Sequence, residues 1–117
     1  MSTIRDVAQI CKALAEHHRL RILKMLELQP LCVCEITAVL QLATSTVSKH
    51  LSILRDAGLI IDQKDGKWVN YCLNDLSDLP QIKPLLSSIS SGLVDDRIIQ
   101  QDAENVKSVD RYEICNV

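Results

Sequence analysis

The stretch TSTVSKHLSILRDAG, residues 44–58, decides the fold. Val47, Leu51 and Leu54 recur at i, i+4 and i+7, which gives a helix one apolar face for a core. Gly58 is a good stop signal. The other face carries Ser45, Ser48, Lys49, Ser52 and Arg55, with Thr46 and His50 beside it and no acid before Asp56. Small hydroxyl side chains let a helix lie deep in a major groove, and cations neutralise phosphate charge. Most polar helix faces are merely solvated, so the next stretch carries weight. LIIDQKDGKWVNYCL, residues 59–73, reads as a β-hairpin. Asp65-Gly66 is a two-residue turn signal, and both flanks are rich in β-branched or aromatic residues. Val69, Tyr71 and Leu73 fall on one face, and Trp68, Asn70 and Cys72 on the other. Lys64 and Lys67 flank the turn, two cations at a tip that reaches the DNA backbone or minor groove. His50, between the two helix faces, fits a DNA contact and a packed histidine equally.

Upstream, the spacing of Ile4, Val7, Cys11 and Leu14 predicts a short amphipathic helix. A second runs over 16–28, with Leu20, Ile22, Leu23 and Leu26 inward and Arg21, Lys24 and Glu27 outward, and ends before Pro30. A third starts at Cys34 or Glu35, ends at Leu40, and is joined to the fourth by the short link QLA. Two short helices, a tight turn and a hairpin make a mainly α fold with a small β element, a winged helix-turn-helix. Leu79, Ile82, Leu86, Ile89 and Leu93 step by 3, 4, 3 and 4 along a last helix, with a restart or kink expected at Pro84. That seam, with the first helix, is read as a homodimer interface, because two copies fit a two-fold site on double-stranded operator DNA.

Composition sets the frame. With 117 residues, 47% hydrophobic but only 3% aromatic and no Phe, the core is aliphatic. Net charge is −2, so no global positive field recruits DNA, and any binding comes from a local patch. Residues 1–92 hold 10 Lys/Arg against 9 Asp/Glu, and residues 93–117 hold 3 against 6. We therefore divide the chain into a winged-helix and dimerisation domain, 1–93, and an acidic polar tail, 94–117, read as frayed helix or disorder. No apolar run approaches a membrane span and no signal-peptide core is visible, which predicts a cytoplasmic protein without a membrane partner. In a reducing compartment the five cysteines argue against a disulfide framework and for core, redox or soft-metal roles. No acid–base pair, phosphate loop or nucleophile–base set points to an enzyme or an organic cofactor.

PLCVCEI, residues 30–36, places two cysteines one residue apart. Within a helix, positions i and i+2 point to opposite sides; in extended chain they share a face. Cys32 and Cys34 can grip one ion only if the backbone there is extended. A helix N-terminus favours thiolate, so both sulfurs are expected to be more reactive than average.

Three stretches, LAEHHRLRIL (14–23), LCVCEI (31–36) and STVSKHLSILRDAGLI running into DGKWVNYCL (45–73), together resemble the ArsR/SmtB metalloregulatory repressors, arsenic-responsive branch. The resemblance implies a homodimeric repressor of a metalloid-resistance operon that leaves its operator when As(III) or Sb(III), the inducer, binds Cys32 and Cys34. The branch has a third cysteine where this chain has Thr37, a poor ligand for a thiophilic ion. Cys115, Cys72, Cys11 or an external thiol remain as third donors. The rival reading keeps the fold and makes the cysteine pair a redox or sulfur-species sensor. A module that binds only protein would need no Ser/Lys/Arg stripe.

Overall fold

The structure, a computed structural model, describes residues 3–76 and 79–114. Helix α1 (Ile4–Leu14) begins in a capping box: Thr3 Oγ1 accepts the Asp6 N–H and the Asp6 carboxylate accepts the Thr3 N–H, both at 3.1 Å. It buries Ile10, Ala13 and Leu14. Of the stripe expected to face inward only Leu14 does so; Ile4, 90% exposed, Val7 and Cys11 stand outside. Alanine and isoleucine one step round the helix supply the packing face, which a reading of the largest periodic apolar set passes over. Helix α2 (His17–Leu26) is capped by Glu16, whose Oε2 accepts the Arg19 N–H at 3.0 Å.

Two residues of extended chain, β1 (Leu31–Cys32), lead into α3 (Val33–Leu40). That helix ends on Gln41 in the left-handed region (φ 57°, ψ 42°), its N–H reaching Thr37 O at 2.8 Å. Glycine is the usual residue at such an end. Gln41→Gly is expected to stabilise the fold by roughly 0.5–1 kcal/mol in urea unfolding, the left-handed cost relieved less the entropy glycine adds to the unfolded chain. A loss of stability instead would mean that the Gln41 side chain, not its backbone, matters there.

Helix α4 (Thr44–Asp56) lies on Val47, Leu51 and Leu54, each 1% exposed or less. Gly58 then takes a φ of +81° and turns the chain into the hairpin. Strands β2 (Ile60–Asp65) and β3 (Trp68–Leu73) pair with Asp65 opposite Trp68, so the two loop residues are Gly66 and Lys67. The turn is thus one residue later than the Asp-Gly signal suggests: Gly66, at φ +62°, sits at the first loop position, where a type II′ turn needs positive φ. The sheet has three antiparallel strands in the order β1-β3-β2, with Leu31 opposite Tyr71 and Cys32 opposite Asn70. Helices α3 and α4 with this hairpin are a winged helix-turn-helix.

Helix α5 (Ile82–Gly92) holds Pro84 in its first turn, where the missing N–H has no helical acceptor, so neither restart nor kink follows. Its seam turns partly onto the chain's own core: Ile82 is buried, and Leu79, Leu86 and Ile89 pack against the core cluster. Leu85, with 41% exposure, faces outward. The acidic segment read as a polar tail contains α6 (Arg97–Ser108) and α7 (Arg111–Ile114). Asp96 caps α6, and the helix buries Asp102 and Val106 against the domain. No helix of the described residues is long and apolar enough to cross a membrane.

Candidate functional site

Two surfaces meet at α3. The first is the outer face of α4 and the wing. Ser45, Thr46, Ser48, Lys49 and Arg55 are exposed, Ser52 is half-buried, and Lys64 and Lys67 stand out on the hairpin. Arg55 Nη1 lies 3.5 Å from Asp62 Oδ2, tying the helix face to strand β2. Ala43 gives α4 no side-chain cap, which leaves its first-turn N–H groups directed outward.

His50 does not join this face. Three residues after Val47 and four before Leu54, it falls on the buried side, with its Nδ1 3.2 Å from Arg19 Nη1 and 3.8 Å from Glu16 Oε2. Burial holds its pKa below the ordinary histidine value; Glu16 pulls upward, and Arg19, His18 and Lys49 push down further. Of the two readings of His50, a DNA contact and a packed histidine, the packed one describes its surroundings here.

The second surface is the start of α3. Cys32 is the N-cap, with extended dihedrals (φ −89°, ψ 167°), and the helix begins at Val33, earlier than the expected Cys34 or Glu35. The Cys32 N–H donates to Glu35 Oε1 at 2.9 Å, and the cysteine sulfur faces the Glu35 N–H, a capping box with sulfur in place of hydroxyl. With one cysteine extended and the other in the first turn, the two sulfurs lie 3.4 Å apart, Cys32 as a free thiol and Cys34 held in a disulfide, against the expectation that the cysteines form none.

Trp68 packs on Cys32 and Cys34. Arg111 of α7 closes the group: its Nη2 donates to Glu35 Oε1 and to Asn70 Oδ1, each at 2.8 Å, and its guanidinium lies 4.9 Å from the centre of the Trp68 ring. Tyr112 meets Trp68 edge-on at 5.8 Å. One guanidinium thus ties the sulfur-bearing cap, the wing strand β3 and the C-terminal helix together.

Burial pushes the Cys32 thiol above the ordinary value; the Glu35 carboxylate adds to this, while the Glu35 amide and Arg111 pull the other way without prevailing. The expected gain in reactivity is reversed at Cys32, because desolvation outweighs the helix end. Glu35 could have been found from the Cys-x-x-Glu spacing of a capping box. No local signal marks Arg111, which is 76 residues from its carboxylate partner. Of the candidate third donors, Cys11 is exposed on α1, and Cys72 Sγ lies 3.8 Å from Gln63 Oε1 on the wing. Cys115 lies outside the described residues.

Residues 16–62 match the family described as bacterial regulatory protein, arsR family. Over 67 residues the chain is 45% identical to the arsenical resistance operon repressor of Escherichia coli (strain K12), a match covering 56% of this chain and 57% of that protein. It therefore spans less than two thirds of that relative's length. Against the arsenical resistance operon repressor of Bacillus subtilis (strain 168) it is 40% identical over 73 residues, 62% of this chain and 70% of that one. Among solved structures, the homodimeric winged helix-turn-helix DNA-binding domain of Mb0332 from Mycobacterium bovis, a possible ArsR-family transcriptional regulator, superposes with a TM-score of 0.64. That match has 25% identity and covers 79% of this chain and 84% of the other.

Proposed function

The chain belongs to the arsR family of bacterial regulatory proteins, and from that membership we propose that it is a homodimeric transcriptional repressor of a metalloid-resistance operon, released from operator DNA when As(III) or Sb(III) binds Cys32 and Cys34. The observation that carries this reading is the closeness of the two sulfurs, 3.4 Å, with Cys34 becoming a ligand when its disulfide is reduced.

At neutral pH arsenite is As(OH)3. Capture begins once a cellular thiol has reduced the Cys34 disulfide, giving two electrons and becoming a disulfide itself; it then breaks two As–O bonds and forms two As–S bonds, and each thiol proton departs with a hydroxide as water. The exchange at arsenic itself moves no electrons, and a third thiol can replace the remaining hydroxide. The metalloid occupies space between the cap, Trp68 and Arg111, and so shifts the wing against α3. Recognition helix and wing then no longer fit the groove together. The other half of the reading rests on apolar residues of α1 and α5 left at the surface, Ile4, Val7 and Leu85, which suit a dimer contact.

The test is release of a DNA duplex, selected by the protein from random sequence, titrated with As(III), Sb(III), Cd(II), Zn(II) and peroxide. Release by the metalloids at the lowest concentrations is expected. Release by peroxide alone would replace this reading with the redox one.

The proton balance supplies a further check. Each thiol that takes Cd(II) expels its proton, whereas As(OH)3 brings its own hydroxide. For capture by two thiols, the Cd(II)/As(III) affinity ratio is expected to fall about a hundredfold for each unit the pH drops between 8 and 6. Because the Cys32 thiol is raised and stays protonated over that range, Cd(II) affinity itself is expected to fall by at least about tenfold per unit. Competition titrations at three pH values read both. A ratio moving about a thousandfold would count a third thiol; about tenfold would mean that the pair does not act together.

A further inference from the structure

A second group of metal-ligating side chains lies apart from the sulfurs, where α2 begins and α4 passes over it. We propose that Glu16, His18 and His50 form a site for a borderline divalent transition ion, such as Zn(II), that pins the start of α2 to the recognition helix. Ligand atoms of all three residues lie within 4.8 Å of one another, and each residue is half-buried, so an ion can enter. Glu16 Oε1 is 2.9 Å from His18 Nδ1, and Glu16 Oε2 is 3.8 Å from His50 Nδ1. The imidazole rings face each other at 5.6 Å with a 31° tilt.

Arg19 places its Nη1 3.2 Å from His50 Nδ1. A guanidinium only donates, so that nitrogen accepts, and His50 is the neutral tautomer whose Nδ1 lone pair an ion takes in place of the Arg19 Nη1 hydrogen bond. The charge of Arg19 does not stand alone beside the ion. Its Nε donates to Ala13 O at 2.7 Å and its Nη2 to Lys12 O at 3.1 Å, carbonyls at the negative end of α1. An incoming ion displaces the Nδ1 proton that His18 donates to Glu16 Oε1, and the ring takes a proton at Nε2 by exchange with water, while Oε2 keeps its bond to the Arg19 amide and α2 keeps its cap. Two imidazoles and one carboxylate suit zinc, nickel or copper, whereas a trivalent metalloid prefers thiolate, so the two sites take different ions. Without an ion, the same three side chains are a cap carboxylate with hydrogen-bonded histidines.

The experiment uses the full chain carrying Cys32→Ser and Cys34→Ser, so it stands whether or not the sulfur pair binds a metalloid. Titration with Zn(II), and with Co(II) as a coloured probe, is expected to give one ion per protomer. The Co(II) spectrum should be that of nitrogen and oxygen donors, without thiolate charge transfer. His18→Gln changes a partly exposed side chain, leaves circular dichroism unaltered, and is expected to weaken Co(II) at least about tenfold, as loss of a ligand's support does elsewhere. His50→Gln should do the same. No uptake, uptake indifferent to His18→Gln, or a thiolate band from the remaining cysteines would overturn the proposal.

Discussion

With Cys32→Ser and Cys34→Ser combined, DNA binding is expected to persist while the response to As(III) disappears. The wild-type protein should lose at least about a hundredfold in affinity for its selected duplex when saturated with As(III), a free-energy change of about 2.8 kcal/mol. The double variant should change by less than about twofold, the limit that such a titration resolves through the same relation. Full switching, from about 99:1 to about 1:99 in the DNA-competent form, asks the inducer for about 5.5 kcal/mol of preference between forms. Two metalloid–sulfur bonds, formed after the Cys34 disulfide is reduced, can supply that preference. Serine is the right replacement on structural grounds. Position 32 is an N-cap in a capping box with Glu35, and Ser-x-x-Glu is that box in its commonest form, so the start of α3 stays in place. A variant that fails to bind DNA at all would therefore be a surprise about the cap. One that still responds fully to As(III) would move the site elsewhere in the chain.

The second large effect concerns the C-terminal helices. Arg21 meets Asp102 of α6 with two parallel bonds, Nε to Oδ2 and Nη2 to Oδ1, both at 2.8 Å. Asp102 is only 3% exposed. Removing the guanidinium strands a carboxylate beneath the helix, a change that costs about 3 kcal/mol or more in comparable buried pairs. Arg21→Ala is expected to loosen α6 from α2, speeding amide exchange across residues 97–108 by about a hundredfold. The paired change Arg21→Ala/Asp102→Ala should recover part of that loss, since no carboxylate is left without a partner. Unchanged protection in the single variant would show that α6 is held by Val106 and its apolar neighbours alone.

That pair also marks where reading the chain stops. Arg21, Lys24 and Glu27 look like a solvated face of α2, and by period alone they are one. In the fold, Arg21 lies under α6, and Lys24 and Glu27 both meet Ser90 of α5, Lys24 Nζ at 2.7 Å and Glu27 Oε2 at 2.9 Å. Polar residues over-determine nothing locally, so a sequence cannot say whether water or another helix covers them. Strand β1 escapes for a related reason. Two residues carry no period, and their partner, β3, lies about forty positions downstream. His50 shows the same limit from the other side. Its spacing from Val47 and Leu54 places it inward, but its polarity argues outward, and the tertiary contact with Glu16 and Arg19 decides.

The local signals, in contrast, suffice for what is local. The apolar spacing of Val47, Leu51 and Leu54 specifies a helix and its buried face, and the glycine at position 66 specifies a hairpin, because both depend on backbone geometry over a few residues. From these the winged helix-turn-helix and its exposed Ser/Lys/Arg stripe were legible in the sequence. The meeting of the two sulfurs was not. It depends on helix α3 starting at Val33, and that start is set by Cys32 pairing with Asn70 across the sheet and by Glu35 held under Arg111. Those are contacts between segments far apart in the chain, and only packing brings them together.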